Sequence, residues 1–195
     1  IFISCMFSCD WLYAKEIIRK LREKCKDSIL IIGGEHATSI PTFCLNDAPG
    51  LDMVVLGEGE AIVSEIFKEY LSYPSKMPSE IPGTYVRLPD RSIKENGRSL
   101  RIKKIDDIQW PDWDGFPLSN YFDGHHGFGV TLGSRSMPIM ASRGCPYKCT
   151  FCSNPSMWTT LWKARSPQDV FEEMLFYKNK YKVDNFDFYD LTVIV

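Results

Sequence analysis

The chain alternates between short apolar runs and longer stretches in which apolar residues recur every three to four positions. The runs Ile29–Ile32 and Met53–Leu56 each lead into glycine, which indicates buried strands followed by tight loops. Ile1–Cys5 predicts an earlier strand, and the apolar spacing of Ala14–Leu21 predicts an amphipathic helix. Strands that alternate with helices favour a parallel sheet covered by helices.

The composition changes between residues 72 and 135, where proline, glycine and charged residues are frequent. Within this stretch, residues 84–94 predict a small hairpin, whereas the prolines of residues 110–117 exclude regular structure. We interpret the stretch as a linker between a first domain of residues 1–71 and a second domain of residues 136–195.

The C-terminal part of the chain predicts a strand, a long loop, a helix and a second strand. Met137–Ser142 is the first strand of this set and Phe186–Tyr189 the second. Ser166–Asp169 is typical of a helix start, with serine at the N-cap, proline at the first helical position and an acid at the third. This order is the opening of a β/α barrel, most of whose turns are missing.

Composition and charge narrow the class of protein without identifying it. With 44% hydrophobic and 25% charged residues, the chain has the balance of a globular protein of one large or two small domains. The formal charge of −2 provides no basic field for a polyphosphate, so we do not expect a nucleic-acid partner. The apolar runs are too short to span a bilayer.

The cysteines indicate the cellular compartment of the protein, and the two ends of the chain indicate whether the sequence is a fragment. No signal peptide is visible, and three of the seven cysteines are clustered like metal ligands, so we expect a reducing cytoplasm. The chain begins at Ile1 and stops at Val195, each within an apolar run. We therefore expect an internal fragment of a longer protein that is inactive by itself.

The strongest chemical signal is a cluster of three cysteines, Cys145, Cys149 and Cys152, with the spacing C-x-x-x-C-x-x-C. Three thiolates this close in sequence can converge on one soft metal centre and leave it one protein ligand short. Phe151 directly precedes the third cysteine, and a predicted strand leads into the loop. This spacing favours an iron–sulfur cluster with one iron free of protein ligands.

Two other interpretations of the cysteines stay open. A zinc site normally uses four ligands, and the nearest histidines are His125 and His126, about twenty residues upstream of the cluster. Buried free thiols are the second interpretation, although Gly144 and Pro146 beside Cys145 indicate a shaped loop. A non-catalytic zinc-binding module is therefore the alternative from a different functional class.

This cysteine run resembles the cluster-binding motif of radical S-adenosylmethionine (radical SAM) enzymes. The resemblance implies that Cys145, Cys149 and Cys152 ligate a [4Fe-4S] cluster that binds S-adenosylmethionine and cleaves it to a 5′-deoxyadenosyl radical. It also implies that Phe151 lies near the adenine and that Asp190 faces the amino end of the cofactor. The glycine pair usual at that place is absent, so a solvated acid that caps the strand is the alternative for Asp190.

Two glycine-rich loops follow successive strands of the first domain, Gly33-Gly34-Glu35-His36-Ala37-Thr38 and Gly57-Glu58-Gly59-Glu60. They resemble the cobalamin-binding domain that precedes the barrel in one radical SAM subgroup, where glycines let the backbone approach the cofactor. Ser4, at the end of the first strand, resembles the Ser-x-Leu element near the lower ligand base. The resemblance implies cobalamin contacts from these residues: Ser4, Gly33, Gly34, Glu35, His36, Thr38, Gly57, Glu58 and Gly59.

Simpler roles stay open for the residues of these loops. A Gly-Gly pair after a strand suits any tight turn between a strand and a helix. For His36 we favour a loop histidine satisfied by local hydrogen bonds over a cobalt ligand. Glu58 and Glu60 suit the positive end of the following helix, where acids are favourable.

The resemblance as a whole implies a Rossmann-like (flavodoxin-like) cobalamin-binding domain followed by the first strands and helix of a radical SAM β/α partial barrel. It implies methyl transfer from cobalamin to an unactivated carbon of a small-molecule substrate, with an electron donor such as flavodoxin or ferredoxin. Radical cyclisation or rearrangement is the alternative within the family. A methylthiotransferase acting on transfer RNA fits less well, because its upstream domain would carry three further cysteine ligands.

Overall fold

The computed structural model describes residues 1–74, 76–98, 101–124 and 135–195. These residues form two compact units, Ile1–Ile102 and Lys103–Val195. The first unit contains a five-stranded sheet covered by helices, and the second contains a pair of parallel strands and a two-stranded ribbon. In these four ranges, every helix is too short or too polar to cross a membrane.

The first unit begins with alternating strands and helices and ends with a hairpin. Its strands are β1 (Phe2–Ser4), β2 (Ile31–Gly33), β3 (Met53–Val55), β4 (Thr84–Arg87) and β5 (Ile93–Glu95). Its α-helices are α1 (Trp11–Lys24), α2 (Glu35–Ser39), α3 (Pro41–Asp47) and α4 (Gly59–Ser72). The strands follow one another in the sheet in chain order, with β1 to β3 parallel and β3 to β5 antiparallel.

Alternate residues of β2 and β3 face opposite sides of the sheet, and helices cover both sides. Ile32 and Val54 belong to the apolar cluster with α1, α2 and α3, whereas Ile31 and Met53 belong to the cluster with α4. All four side chains are at most 3% exposed. Burial on both faces explains the continuous apolar runs and confirms the predicted α/β class with a parallel sheet.

The hairpin predicted at residues 84–94 forms and extends the first sheet. β4 pairs antiparallel with β3, and Val86 opposite Met53 is completely buried. β5 then pairs with β4 and forms the far edge of the sheet. Because the hairpin belongs to the first sheet, the first compact unit extends to residue 102. The boundary between the two units therefore lies inside the stretch 72–135 that the sequence predicts as a linker.

The second unit is organised around two parallel strands that are separated in sequence by a helix. Its elements are α5 (Leu118–Asp123), β6 (Ser136–Ile139), β7 (Ser142–Arg143), α6 (Asn154–Met157), β8 (Lys163–Ala164), α7 (Pro167–Tyr181) and β9 (Asn185–Phe188). β6 pairs parallel with β9, and β7 pairs antiparallel with β8. At the start of α7, the Ser166 hydroxyl accepts the Asp169 amide at 3.2 Å, which confirms the predicted N-cap. The extension of this unit to a β/α barrel stays a prediction.

Residues 110–117 contain no helix or strand, as their prolines predict. They pack on α7 through polar contacts of aromatic side chains. The Trp110 indole donates to the Asp169 carboxylate at 3.0 Å, and the Tyr177 hydroxyl donates to the Pro111 carbonyl at 3.1 Å. Tyr177 is completely buried, and Trp110 and Trp113 pack against the apolar cluster that contains it. Residues 110–117 therefore contribute to the core of the second unit.

Candidate functional site

The glycine-rich loops after β2 and β3 meet at the carboxyl end of the first sheet. Ser4, the last residue of β1, lies opposite Gly33, the last residue of β2. The Gly57 amide, just beyond β3, donates to the Thr38 hydroxyl at 3.0 Å. The structure therefore brings these four predicted residues to one edge, where parallel sheets bind their ligands.

The glycines of the two loops are required for different reasons. Gly34 has a φ of +96°, and a Cβ there would lie 2.5 Å from the Cys5 carbonyl oxygen, so the crossing of two chain segments requires glycine. Gly57 also has a positive φ, +64°, but a Cβ there would meet no atom within 4 Å among the described residues. Gly33 and Gly59 have only ordinary contacts at that position. The open backbone at Gly57 fits a cofactor that approaches the loop closely.

His36 lies in α2 rather than in a loop, and it is buried, with 6% of its surface exposed. Its Nδ1 lies 2.9 Å from the Ser8 hydroxyl, and its ring packs on Trp11 with centroids 5.0 Å apart. Nε2 is buried and has no hydrogen-bond partner in the part of the chain that the structure describes. Burial lowers the pKa of His36, which favours the neutral ring. The expected local hydrogen bond is thus present at one ring nitrogen, and the other fits a polar group of a bound cofactor.

The acids of the two loops differ in their surroundings. Glu58 is engaged by the end of the first unit: its carboxylate accepts the Arg101 guanidinium at 3.2 Å and the Ile102 amide at 2.9 Å. The side chains of this ion pair are 5% and 12% exposed, and Glu58 makes no side-chain capping bond to α4. Glu35 is the first residue of α2 and is half-buried. The ion pair at Glu58 was not anticipated, because Arg101 follows it by 43 residues.

The cysteine loop begins directly after β7 and folds back on itself. Gly144 turns the chain at a φ of +85°, and the Cys152 amide donates to the Cys149 carbonyl at 3.1 Å. Asn154 is 2% exposed and donates from its side chain to the Cys145 carbonyl at 3.0 Å. The backbone amide of Asn154 also lies 3.5 Å from the Cys152 sulfur. Asn154 therefore holds both ends of the loop, a role that the motif spacing does not indicate.

The three thiols of this loop are free, and two of them are exposed. Cys145 is half-buried, whereas Cys149 and Cys152 are exposed. Within the described ranges, no group of three or more His, Cys, Asp or Glu side chains is assembled around a common point. The donor set fits a soft metal or an iron–sulfur centre, and the ligand role of the three cysteines stays a prediction. His125 and His126 lie outside the described residues.

Asp190 connects the end of β9 to the strand that leads into the cysteine loop. Its carboxylate accepts the Ala141 amide at 3.1 Å and the Ser142 hydroxyl. Two residues later, the Thr192 hydroxyl donates to the Cys145 sulfur at 3.1 Å. Asp190 is half-buried and accepts two hydrogen bonds, and its contact with S-adenosylmethionine stays a prediction.

Phe151 projects from the cysteine loop and is 91% exposed. An aromatic ring in that position is available for stacking, and its adenine contact stays a prediction. A separate cleft of about 490 Å³ lies in the second unit between residues 106–112 and the last turns of α7. None of the predicted site residues lines that cleft, so we do not assign the chemistry to it.

Comparison with known proteins places these features in a family. Residues 1–67 match the B12 binding domain. The chain is 30% identical over 188 residues to an uncharacterized methyltransferase of Pyrococcus horikoshii, covering 93% of the chain and 37% of that protein. It is 31% identical over 185 residues to cytidylyl-2-hydroxyethylphosphonate methyltransferase of Streptomyces wedmorensis, covering 84% and 34%. It is 30% identical over 162 residues to anaerobic magnesium-protoporphyrin IX monomethyl ester cyclase of Cereibacter sphaeroides, covering 83% and 25%.

Two solved structures share the fold over nearly the whole chain. The radical S-adenosylmethionine methyltransferase TsrM of Kitasatospora setae superposes with a TM-score of 0.72 at 18% identity, covering 97% of this chain and 36% of TsrM. The cobalamin-dependent S-adenosylmethionine radical enzyme OxsB gives 0.73 at 17% identity, covering 98% and 25%. A second structure of TsrM has cobalamin and a [4Fe-4S] cluster bound, and the OxsB structure has aqua-cobalamin and S-adenosylmethionine bound.

The first unit therefore has the Rossmann-like α/β fold of a cobalamin-binding domain, and it is followed by a unit that carries a three-cysteine loop. The chain belongs to the cobalamin-binding radical SAM family, and the curated relatives that it matches are described as methyltransferases and cyclases. It spans between a quarter and somewhat more than a third of the length of these curated relatives.

Proposed function

We propose that the chain binds cobalamin at the carboxyl edge of its first sheet and a [4Fe-4S] cluster on its cysteine loop, as part of a radical SAM methyltransferase. One observation carries the proposal: the chain combines an open backbone at Gly57, bonded to Thr38, with a loop of three free thiols. The relatives described as methyltransferases match across both of these regions.

The cysteine loop supplies the groups that a cluster needs. The cluster would be held by Cys145, Cys149 and Cys152. The backbone amide of Asn154 would donate to the Cys152 sulfur, as hydrogen-bond donors around metal-bound sulfur commonly do. When bound, the cluster supplies the electron that cleaves S-adenosylmethionine. Phe151 presents an exposed ring on which an adenine can stack.

The sheet edge supplies the groups that cobalamin needs. Gly57 offers open backbone, and the ends of β1 and β2 at Ser4 and Gly33 line the same edge. The unpartnered Nε2 of His36 offers one further polar atom. When bound, cobalamin supplies the methyl group, which we propose is delivered to an unactivated carbon of a small molecule. We also propose that the protein works in a reducing cytoplasm and receives electrons from a donor such as flavodoxin or ferredoxin.

Radical cyclisation is the second candidate reaction. It is favoured by relatives from three organisms that are described as anaerobic magnesium-protoporphyrin IX monomethyl ester cyclases. The two candidates share both cofactor sites and differ in the substrate. Product mass separates them, because methyl transfer adds one carbon to the substrate and cyclisation adds none.

Anaerobic reconstitution with iron and sulfide tests the cluster site. We expect the broad charge-transfer absorbance of an iron–sulfur centre in the wild type and its loss in Cys149→Ala. Cys25→Ala is the matched control, because Cys25 lies in the first unit outside both sites. Absorbance that survives in Cys149→Ala, or stoichiometric zinc in place of iron, would contradict the proposal.

Gel filtration with added cobalamin tests the first unit separately. We expect cobalamin to co-elute with the whole natural protein and to be released when Gly57 is replaced by a bulky residue. Failure of the wild-type protein to retain cobalamin would contradict the first-unit assignment and leave the cluster result unaffected.

A further inference from the structure

Thr192 places its hydroxyl against the first cysteine of the cluster motif. The Thr192 Oγ1 to Cys145 Sγ distance is 3.1 Å, and the hydroxyl is the donor. The two residues are 47 positions apart, so the contact depends on the fold rather than on the motif. Cys145 is the one half-buried cysteine of the three, which limits competition from water for this bond.

The backbone of Thr192 is held by a hydrogen bond from Trp162, which positions the side-chain hydroxyl. The Thr192 carbonyl accepts the Trp162 indole at 2.7 Å and lies 2.9 Å from the Ser142 hydroxyl. Ser142 belongs to β7, and Trp162 immediately precedes β8, its antiparallel partner. The ribbon that leads into the cysteine loop therefore orients Thr192 through the bond from Trp162.

We propose that Thr192 is a positioning residue that orients Cys145 and raises the reduction potential of the cluster. This inference rests on the proposed function. A metal-bound sulfur carries no proton, so the hydroxyl must be the donor in the holoprotein. Hydrogen bonds to cluster sulfurs stabilise the more negative, reduced form and thereby raise the potential. The backbone amide of Asn154 offers the same kind of bond to Cys152. Two of the three predicted ligands therefore receive a hydrogen-bond donor from the fold.

An EPR-monitored redox titration of the reconstituted whole protein tests this role. In Thr192→Val, which keeps the side-chain shape, we expect the ratio of reduced to oxidised cluster at a fixed potential to fall on the order of tenfold, equivalent to about 59 mV for one electron. Thr192→Ser restores the hydroxyl and should restore the wild-type ratio. Thr150→Val is the matched control, because Thr150 is an exposed residue of the same loop whose hydroxyl makes no bond among the described residues.

The outcomes separate this inference from the proposed function. A wild type without a cluster would refute the proposed function and the inference with it. A wild type with a cluster and an unchanged potential in Thr192→Val would refute the inference alone. If Thr192→Val loses its cluster, Thr192→Ala removes the hydroxyl without adding a contact and must show the same negative shift. A shift in Thr150→Val equal to that in Thr192→Val would also refute the role of the hydroxyl.

Discussion

Replacing Gly34 and Gly57 by alanine in separate variants should damage the protein in two different ways. Both residues have a positive φ, so the same substitution imposes a similar backbone strain at each. The surroundings differ, because a Cβ at Gly34 would overlap the Cys5 carbonyl group, whereas a Cβ at Gly57 meets open space among the described residues. We therefore expect Gly34→Ala to unfold the first unit more easily and Gly57→Ala to weaken cobalamin binding.

The magnitudes follow from these contacts. A left-handed conformation costs a non-glycine residue about 1–2 kcal/mol, and alanine recovers about 0.4–1 kcal/mol by restricting the unfolded chain. Gly57→Ala should thus cost between about 0 and about 1.6 kcal/mol. At Gly34 the new methyl must also displace backbone atoms at 2.5 and 2.8 Å, and overpacking of this kind adds about 1–3 kcal/mol. For a chain of this size, each 1 kcal/mol lowers Tm by about 2–4 °C.

Thermal unfolding of the protein without cobalamin and gel filtration with cobalamin measure the two effects. We expect a clear fall in Tm with Gly34→Ala and little change with Gly57→Ala. Cobalamin should co-elute less with Gly57→Ala, although that variant is folded. Equal Tm values for the two variants would show that the overlap at Cys5 does not govern stability. Unchanged cobalamin retention by Gly57→Ala would show that the open space above the loop is not the cofactor site.

Three further predictions concern the residues that surround the two sites. Arg101→Met removes the guanidinium that pairs with the buried Glu58 carboxylate and should lower the free energy of unfolding by about 3–5 kcal/mol, measured in urea, whereas adding Glu58→Gln should restore most of the loss. Because burial lowers the pKa of His36, the unfolded chain binds a proton that the folded chain does not. The free energy of unfolding should then fall as pH drops below about 6.5, and His36→Gln should flatten that dependence. Asn154→Ala removes the bond to the Cys145 carbonyl and should speed the release of iron to a chelator, whereas a release rate equal to wild type would exclude Asn154 as the support of the loop.

The strands of the first sheet were predictable because a completely buried strand requires a continuous run of apolar residues, which is visible in the sequence. β2 and β3 lie between helices, so every residue in them is apolar or glycine, and the run itself marks the strand. The contacts around the sites were not predictable in this way. Arg101 reaches Glu58 across 43 residues, and Thr192 reaches Cys145 across 47. Such contacts depend on how strands are placed beside one another, and the spacing of a motif contains no information about that placement.

Asp190 supports the fold, and its predicted contact with S-adenosylmethionine would give it a second role. Its carboxylate accepts two bonds from residues 141 and 142, just before the cysteine loop. A carboxylate offers about four lone-pair sites, so two acceptor sites stay available for the predicted contact with the amino group of S-adenosylmethionine. A cofactor contact through Asp190 would therefore also orient the loop that carries Cys145. Replacement by asparagine keeps an acceptor oxygen and removes the charge, so it should weaken binding of the cationic cofactor while the loop keeps part of its support.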